Sequence, residues 1–290
     1  MLGAITGDTV GSIYEFHNIK TKEFPFLSPR CNYTDDSVMT IAVAQWLLQD
    51  PTHSHEELER IMVQIADEYP CPMGGYGGGF HRWLEDSDGE YVDQSQPDGS
   101  IKHVYVSHRH PYNSWGNGSA MRVSACGWIA DSLAETERIA ALSASITHNH
   151  PEGIKGAQAT AAAIFMARNG SSKQDIKAYV EKTYGYDLTR TCDQIRPTYR
   201  FNESCQGTVP EAIVSFLEST DFEDCIRLGV SLGGDTDTLC CIAGGIAEAF
   251  YGGVPDAIAQ AIWQKLPDLF RGTLRAFTDR TPYALPSCLS

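Results

Sequence analysis

Two stretches of this 290-residue chain are apolar on nearly every helical face, and each opens on closely spaced acids. The first follows Thr34-Asp35-Asp36 and carries Val38, Met39, Ile41, Ala42, Val43, Ala44, Trp46, Leu47 and Leu48. The second follows Asp235-Thr236-Asp237-Thr238 and carries Leu239, Cys240, Cys241, Ile242, Ala243, Ile246, Ala247, Ala249 and Phe250. A helix with no polar face belongs in the centre of a bundle. Gly244-Gly245 lets a neighbouring helix approach closely, offsetting the roughly 1 kcal/mol that each glycine costs a helix interior.

Helical apolar spacing recurs over Asp35–Gln49, Ser54–Tyr69, Gly118–Asp131, Glu135–His148, Ile154–Asn169, Pro210–Glu218, Phe222–Leu232 and Thr236–Tyr251. Strand-like alternation is confined to Lys102–Val106, too isolated to found a sheet. The expected class is therefore all-α, and with no low-complexity linker or abrupt change of composition the chain reads as one domain over residues 1–290. From about Asp86 to Gly116 the helical period is lost among Asp, Gly, Ser, Pro, His and Tyr, over a length that marks a loop either functional or poorly ordered, and its end, Pro111 to Gly118, argues for function over a tolerated insertion. Met73–Phe80 is too glycine-dense for a helix and reads as a flexible connector, with lining a cleft mouth as the alternative.

Acids outnumber Lys plus Arg by 37 to 22, a formal charge of −15, which disfavours phosphate backbones and anionic lipid as partners. No run reaches the ~18 apolar residues of a spanning helix. Asp8 interrupts the opening stretch where a signal peptide needs its apolar core, so a cytoplasmic location is expected. The nine cysteines lack a C-x-x-C pair, and Cys126, Cys225, Cys240 and Cys241 lie in apolar runs, as reduced core thiols do.

Thr34-Asp35-Asp36 and Asp235-Thr236-Asp237-Thr238 have an ordinary explanation as N-caps and first-turn acids, worth about 0.3 to 1 kcal/mol each through the helix dipole. Together they supply four carboxylates and two placed hydroxyls, more than capping needs. Should the two helix starts meet, the charges repel in a dry site until their pKa values rise or a cation neutralises them. All-oxygen donors suit Mg²⁺, Mn²⁺ or Ca²⁺ over zinc, and carboxylates that bridge suit a two-metal site. Upstream, Gly3, Gly7 and Gly11 form a smooth stripe on one helix face, with Glu15 near that helix's end and Asp8 reading as a structural polar contact.

The order Gly7-Asp8-Thr9-Val10-Gly11 with Glu15-Phe16, then Thr34-Asp35-Asp36-Ser37 with Met39-Thr40, then Gly116-Asn117-Gly118-Ser119-Ala120-Met121-Arg122-Val123, then Thr147-His148, then Gly233-Gly234-Asp235-Thr236-Asp237-Thr238 resembles the ADP-ribosylglycohydrolase family. The resemblance implies an orthogonal all-α helical bundle with two divalent cations, Mg²⁺ or Mn²⁺, at the base of an ADP-ribose cleft. It implies as metal ligands Thr34, Asp35, Asp36, Asp235, Asp237 and Thr238, with Asp36 also counted as catalytic. Glu15 matches the family's flap glutamate, which acts on the water or the leaving group. Asn113, Ser114, Trp115, Gly116, Asn117 and Gly118 match the loop that holds diphosphate and ribose, and His148 a substrate-binding histidine. Two of these have competing readings, Trp115 as a packing anchor and His148 as a satisfied core histidine, while Arg122 reads as holding the loop.

The activity implied is hydrolysis of the glycosidic bond between ADP-ribose and a protein side chain or small acceptor. Rival readings are a two-metal nucleotide phosphohydrolase and a non-catalytic relative that binds ADP-ribose. Gly7-Asp8-Thr9 and Gly118-Ser119 depart from the family's common G-D-A and G-N-G-G, leaving open the linkage cleaved.

Overall fold

The computed structural model describes residues 1–289. Among them fifteen α-helices run in chain order: α1 (Leu2–Gly11), α2 (Asp35–Gln49), α3 (His55–Glu68), α4 (Gly78–Glu85), α5 (Gly118–Met121), α6 (Ser124–Ile129), α7 (Leu133–Ser145), α8 (Pro151–Arg168), α9 (Lys173–Tyr184), α10 (Cys192–Ile195), α11 (Cys205–Glu218), α12 (Phe222–Leu232), α13 (Thr236–Tyr251), α14 (Asp256–Trp263) and α15 (Asp268–Thr278). None is long and apolar enough to cross a membrane. Two antiparallel strands, β1 (Gly89–Ser95) and β2 (Ile101–Ser107), are the exception to the helical architecture. Lys102–Val106 thus has a partner after all, supplied by residues whose alternation is too polar to signal a strand; the pair stands as a hairpin closed through Gln96 and Ser100.

The two helices singled out by their apolar faces lie at the centre. From Thr236 to Ala249 every residue of α13 is buried, and it packs against α1, α8, α11 and α12. α2 is buried from Asp36 to Ala44 and packs against α3, α6 and α15. α1 lies on α13 through its glycine stripe. A Cβ at Gly3 would fall 2.4 Å from the Gly244 carbonyl oxygen, one at Gly7 1.9 Å from that of Cys240, and one at Gly11 2.3 Å from that of Thr236. Backbone meets backbone there, so the three glycines set the separation of the helices that carry the site.

The stretch expected as one helix over Gly118–Asp131 is broken into α5 and α6, with Arg122 and Val123 in the gap. Arg122 is buried there, and its side chain reaches the carbonyls that end α7, which fixes the break. The glycine-dense segment is not merely a connector, since Gly78, Gly79 and Phe80 open α4. Seven cysteines are buried free thiols, Cys288 is half-buried and Cys71 exposed.

Candidate functional site

The acid-bearing starts of α2 and α13 meet. The Thr238 hydroxyl donates to Asp36 Oδ2 at 3.2 Å, and Asp35, Asp36, Asp235, Asp237 and Thr238 all line one cavity of about 440 Å³. Its glycine-rich rim comes from Gly74 to Gly79, and its other walls from Ser114, Gly116, Asn117, Gly118, Tyr112 and His148.

Each acid is positioned by backbone chemistry legible in its neighbours. Asp8 of α1 accepts from the Thr34 amide at 3.0 Å, from the Thr34 hydroxyl at 2.8 Å, and from the amide and hydroxyl of Ser37. It thereby satisfies free donors at the start of α2, the task of a cap carried out from another helix. Asp235 follows Gly233-Gly234, both at positive φ (70° and 81°), a turn open to glycine; a Cβ at Gly234 would also meet Tyr199 at 2.4 Å. Asn18 ties that turn to the Glu15 segment: its amide donates to the carbonyls of Glu15 and Gly234, both at 2.9 Å, and its oxygen accepts from Gly234 N at 2.7 Å. Carboxylate oxygens of Glu15, Asp235 and Asp237 consequently lie within 4.8 Å of one another, a spacing that can hold a metal ion.

The electrostatics are those of an uncompensated acidic site. Burial, reinforced by the neighbouring carboxylates, pushes Asp35, Asp36 and Asp237 well above the usual carboxylate range. Burial also raises Asp235, against the donated bond from Asn117. Glu15 is pushed up to about 7, by burial first and by the charge of Asp235 second. Asp36 Oδ1 is buried with no hydrogen-bond partner. An orphaned carboxylate oxygen under the charges of Asp8, Asp35 and Asp235 is the environment that a hard divalent cation relieves. The donor set therefore fits a hard divalent cation, with Asp35, Asp36, Asp235, Asp237 and Thr238 to hold the ion and Glu15 in reach.

Not every residue of the expected constellation faces the cavity. The Thr34 hydroxyl, fully buried, is spent on Asp8 and on capping Asp36 N, and Thr34 is absent from the cavity wall. Asn113 adopts φ 54°, its backbone amide donates to Asn149 Oδ1, and it is absent from the cavity wall. Trp115 is 51% exposed and lies edge-on to His150, off the cavity wall. Ser114, Gly116, Asn117, Gly118 and His148 do line it. Asn117 has a role that sequence alone does not disclose: its amide donates to Asp235 Oδ2 at 2.7 Å and to Thr208 Oγ1 at 3.1 Å, linking the loop wall to the acidic floor. Asn18, Tyr112 and Glu203 also belong to the site or its frame without a motif to announce them, and Phe16 of the Glu15-Phe16 pair lines the cavity.

An all-α bundle whose two central helices present acids at the floor of one cleft defines a class of helical hydrolases. The sequence profile of the ADP-ribosylglycohydrolase family matches residues 1–286, and the chain belongs to that family. It is similar to ADP-ribosylhydrolase ARH3 of Mus musculus, 26% identical over 340 residues that cover 94% of this chain and 87% of that protein. ADP-ribosylhydrolase ARH3 of Homo sapiens is 27% identical over 317 residues, covering 87% and 84%. ADP-ribosylarginine hydrolase Tri1 of Pseudomonas putida is 23% identical over 293 residues, covering 91% and 74%. A solved structure described as an ADP-ribosylglycohydrolase-related protein complex shares the fold, with a TM-score of 0.66 at 22% identity and 96% of both chains covered.

Proposed function

We propose that this enzyme is a divalent-cation-dependent hydrolase that cleaves the glycosidic bond between the distal ribose of ADP-ribose and a protein side chain or small acceptor, releasing ADP-ribose. The observation that carries this reading is the gathering of Glu15, Asp35, Asp36, Asp235 and Asp237 in a cavity otherwise lined mainly by loop and glycine backbone, with Arg122 and Glu203 its only other charged residues. That asymmetry orients the ligand. A diphosphate is repelled from the acids and accepted along Gly116, Asn117 and Gly118, where small residues let an anion come close. The ribose farthest from the adenine then lies over the carboxylates. A volume of about 440 Å³ suits a ligand of this size.

When bound, two divalent cations would neutralise the acidic floor and orient the ribose hydroxyls by Lewis acidity. The protein's own groups do the rest. Asp8 and Asn117 hold Asp36 and Asp235 in place through Thr34 and through a direct hydrogen bond, so the floor is preorganised. Glu15, with its carboxyl near pKa 7, holds or yields a proton at neutral pH and serves the attacking water or the departing acceptor atom. Gly74 leaves room beside it, since a Cβ there would stand 3.1 Å from Glu15 Oε2.

Incubation with ADP-ribosylated protein and Mg²⁺ or Mn²⁺ tests the proposal. Free ADP-ribose is the expected product, absent with chelator, and Glu15→Gln should lower kcat by about 10² to 10⁴. Release of AMP with ribose phosphate would instead assign a phosphohydrolase.

A further inference from the structure

Beside His148 the cavity is lined by an arginine with no acidic partner. Arg122 is 1% exposed, and its guanidinium donates to the Ser143 carbonyl at 2.7 Å and to Thr147 Oγ1 at 3.0 Å. Burial lowers it to about 10, so it remains charged at neutral pH, and the groups acting on its charge are Tyr112, Cys126 and Cys205, none a carboxylate. A buried cation in a chain of formal charge −15, placed where every nearby acid is out of reach, is an unmatched positive charge.

Its influence is passed on by one hydroxyl. Thr147 is fully buried, and its Oγ1, which already accepts from Arg122, lies 2.7 Å from His148 Nδ1. Among the described residues the hydroxyl has no other acceptor, so its single proton goes to Nδ1. The opposite assignment, with Nδ1–H donating to Thr147, would strand a buried hydroxyl proton, which is the costly outcome. The neutral imidazole therefore carries its proton on Nε2. That nitrogen faces the loop wall: a Cβ at Gly116 would be 3.4 Å from it and one at Gly118 3.3 Å. His148 is 5% exposed and lines the cavity, and its Nε2 has no hydrogen-bond partner among the described residues. Burial and the Arg122 charge both hold the imidazole well below its ordinary value, which keeps it neutral.

We propose that Arg122 and Thr147 are positioning residues that fix His148 as an Nε2–H donor toward the ligand's diphosphate, with Arg122 the buried counter-charge to that anion. The identity of the anion rests on the ADP-ribose reading above; the proton's location does not.

Two measurements on the full chain, each on wild type, Thr147→Val and Thr147→Ser, decide it. In long-range ¹H–¹⁵N spectra of histidine-labelled protein without ligand, the His148 signals, assigned by their loss in His148→Gln, should show a bare Nδ1 and a protonated Nε2. Thr147→Val should shift the proton toward Nδ1 and Thr147→Ser should restore it. In calorimetry with ADP-ribose, Thr147→Val should weaken binding about tenfold and Thr147→Ser by less than about twofold. A proton on Nδ1 in the wild type overturns the relay, as does unchanged ADP-ribose affinity in Thr147→Val. Should the wild type not bind ADP-ribose at all, the functional reading fails, and the spectra alone then judge the tautomer.

Discussion

The Thr238 hydroxyl donates to Asp36 Oδ2 across 202 residues of sequence, joining the first turns of α2 and α13 over the cavity floor. Asp36 Oδ1 is left with no partner, beside carboxyl groups whose charges raise one another's pKa. A cation bound there should stabilise the fold by mass action, about 2.7 kcal/mol at a hundred times its Kd. Thermal melts should therefore move upward with Mg²⁺ or Mn²⁺. Asp36→Asn and Asp235→Asn should lose that shift and the activity together while keeping the helical circular dichroism. Full turnover and an intact shift in both variants would remove the basis for the metal site.

The same charges set a pH dependence for the metal-free protein. Glu15 rises from an ordinary 4.5 to about 7 and Asp8 from 3.8 to about 6, both chiefly by burial. A raised carboxyl binds a proton in the folded chain that it lacks when unfolded, so the stability it contributes is complete below the unfolded value and is lost as pH climbs through the folded one. In chelator, urea midpoints should fall between about pH 4 and pH 7 from these two groups. With saturating Mg²⁺ the decline should flatten, because the cation replaces the protons. A midpoint that rises over this interval in chelator would contradict the assignment.

Gly7 shows how packing reaches the chemistry. A Cβ there would sit 1.9 Å from the Cys240 carbonyl oxygen and 2.4 Å from its carbon, so α1 and α13 must separate to admit it. Overpacking of this kind typically costs about 1–3 kcal/mol, and here the obstacle is backbone, which has no rotamer to yield. Gly7→Ala should lose at least that much in urea titration. Because α1 carries Asp8 and α13 carries Asp237, the surviving folded fraction should also bind divalent ion more weakly; Gly272→Ala, which meets nothing within 4 Å, is the matching control.

What the sequence disclosed follows from the range of the forces involved. The apolar faces of α2 and α13 and the acids that open them are local patterns, and they announced a buried pair of helices with charge at one end. The glycines of α1 spoke through their spacing alone. Contacts made at a distance left no such trace. Arg122 breaks a continuous helical period because it reaches α7, and Thr34 is held by Asp8 away from the cavity. Asn113 and Trp115 lie off the cavity wall, although the loop motif reads as continuous. The amphipathic C-terminal helix α15, which buries Phe270, Leu274 and Phe277, was missed although its apolar positions have helical spacing.

Asn117 bridges the two halves of the site, and its removal should separate them from a merely local defect. Its amide holds Asp235 Oδ2 at 2.7 Å while its backbone amide donates to the Glu203 carbonyl at 2.7 Å, so one residue fixes both the acidic floor and the loop above it. Asn117→Ala keeps the backbone bond and deletes the side-chain one, leaving a buried carboxylate oxygen short of a donor, a loss of roughly 1.5–3 kcal/mol for a bond to a charged group. Divalent affinity measured by calorimetry should fall about tenfold or more, with ADP-ribose affinity falling in parallel when metal is present. Ser114→Ala touches only the loop, where the hydroxyl accepts from Gly116 N at 3.1 Å, and should weaken ADP-ribose while leaving the metal isotherm unchanged. If Asn117→Ala behaves like Ser114→Ala, the bond to Asp235 contributes nothing to the floor, and the link between nucleotide wall and metal site is refuted.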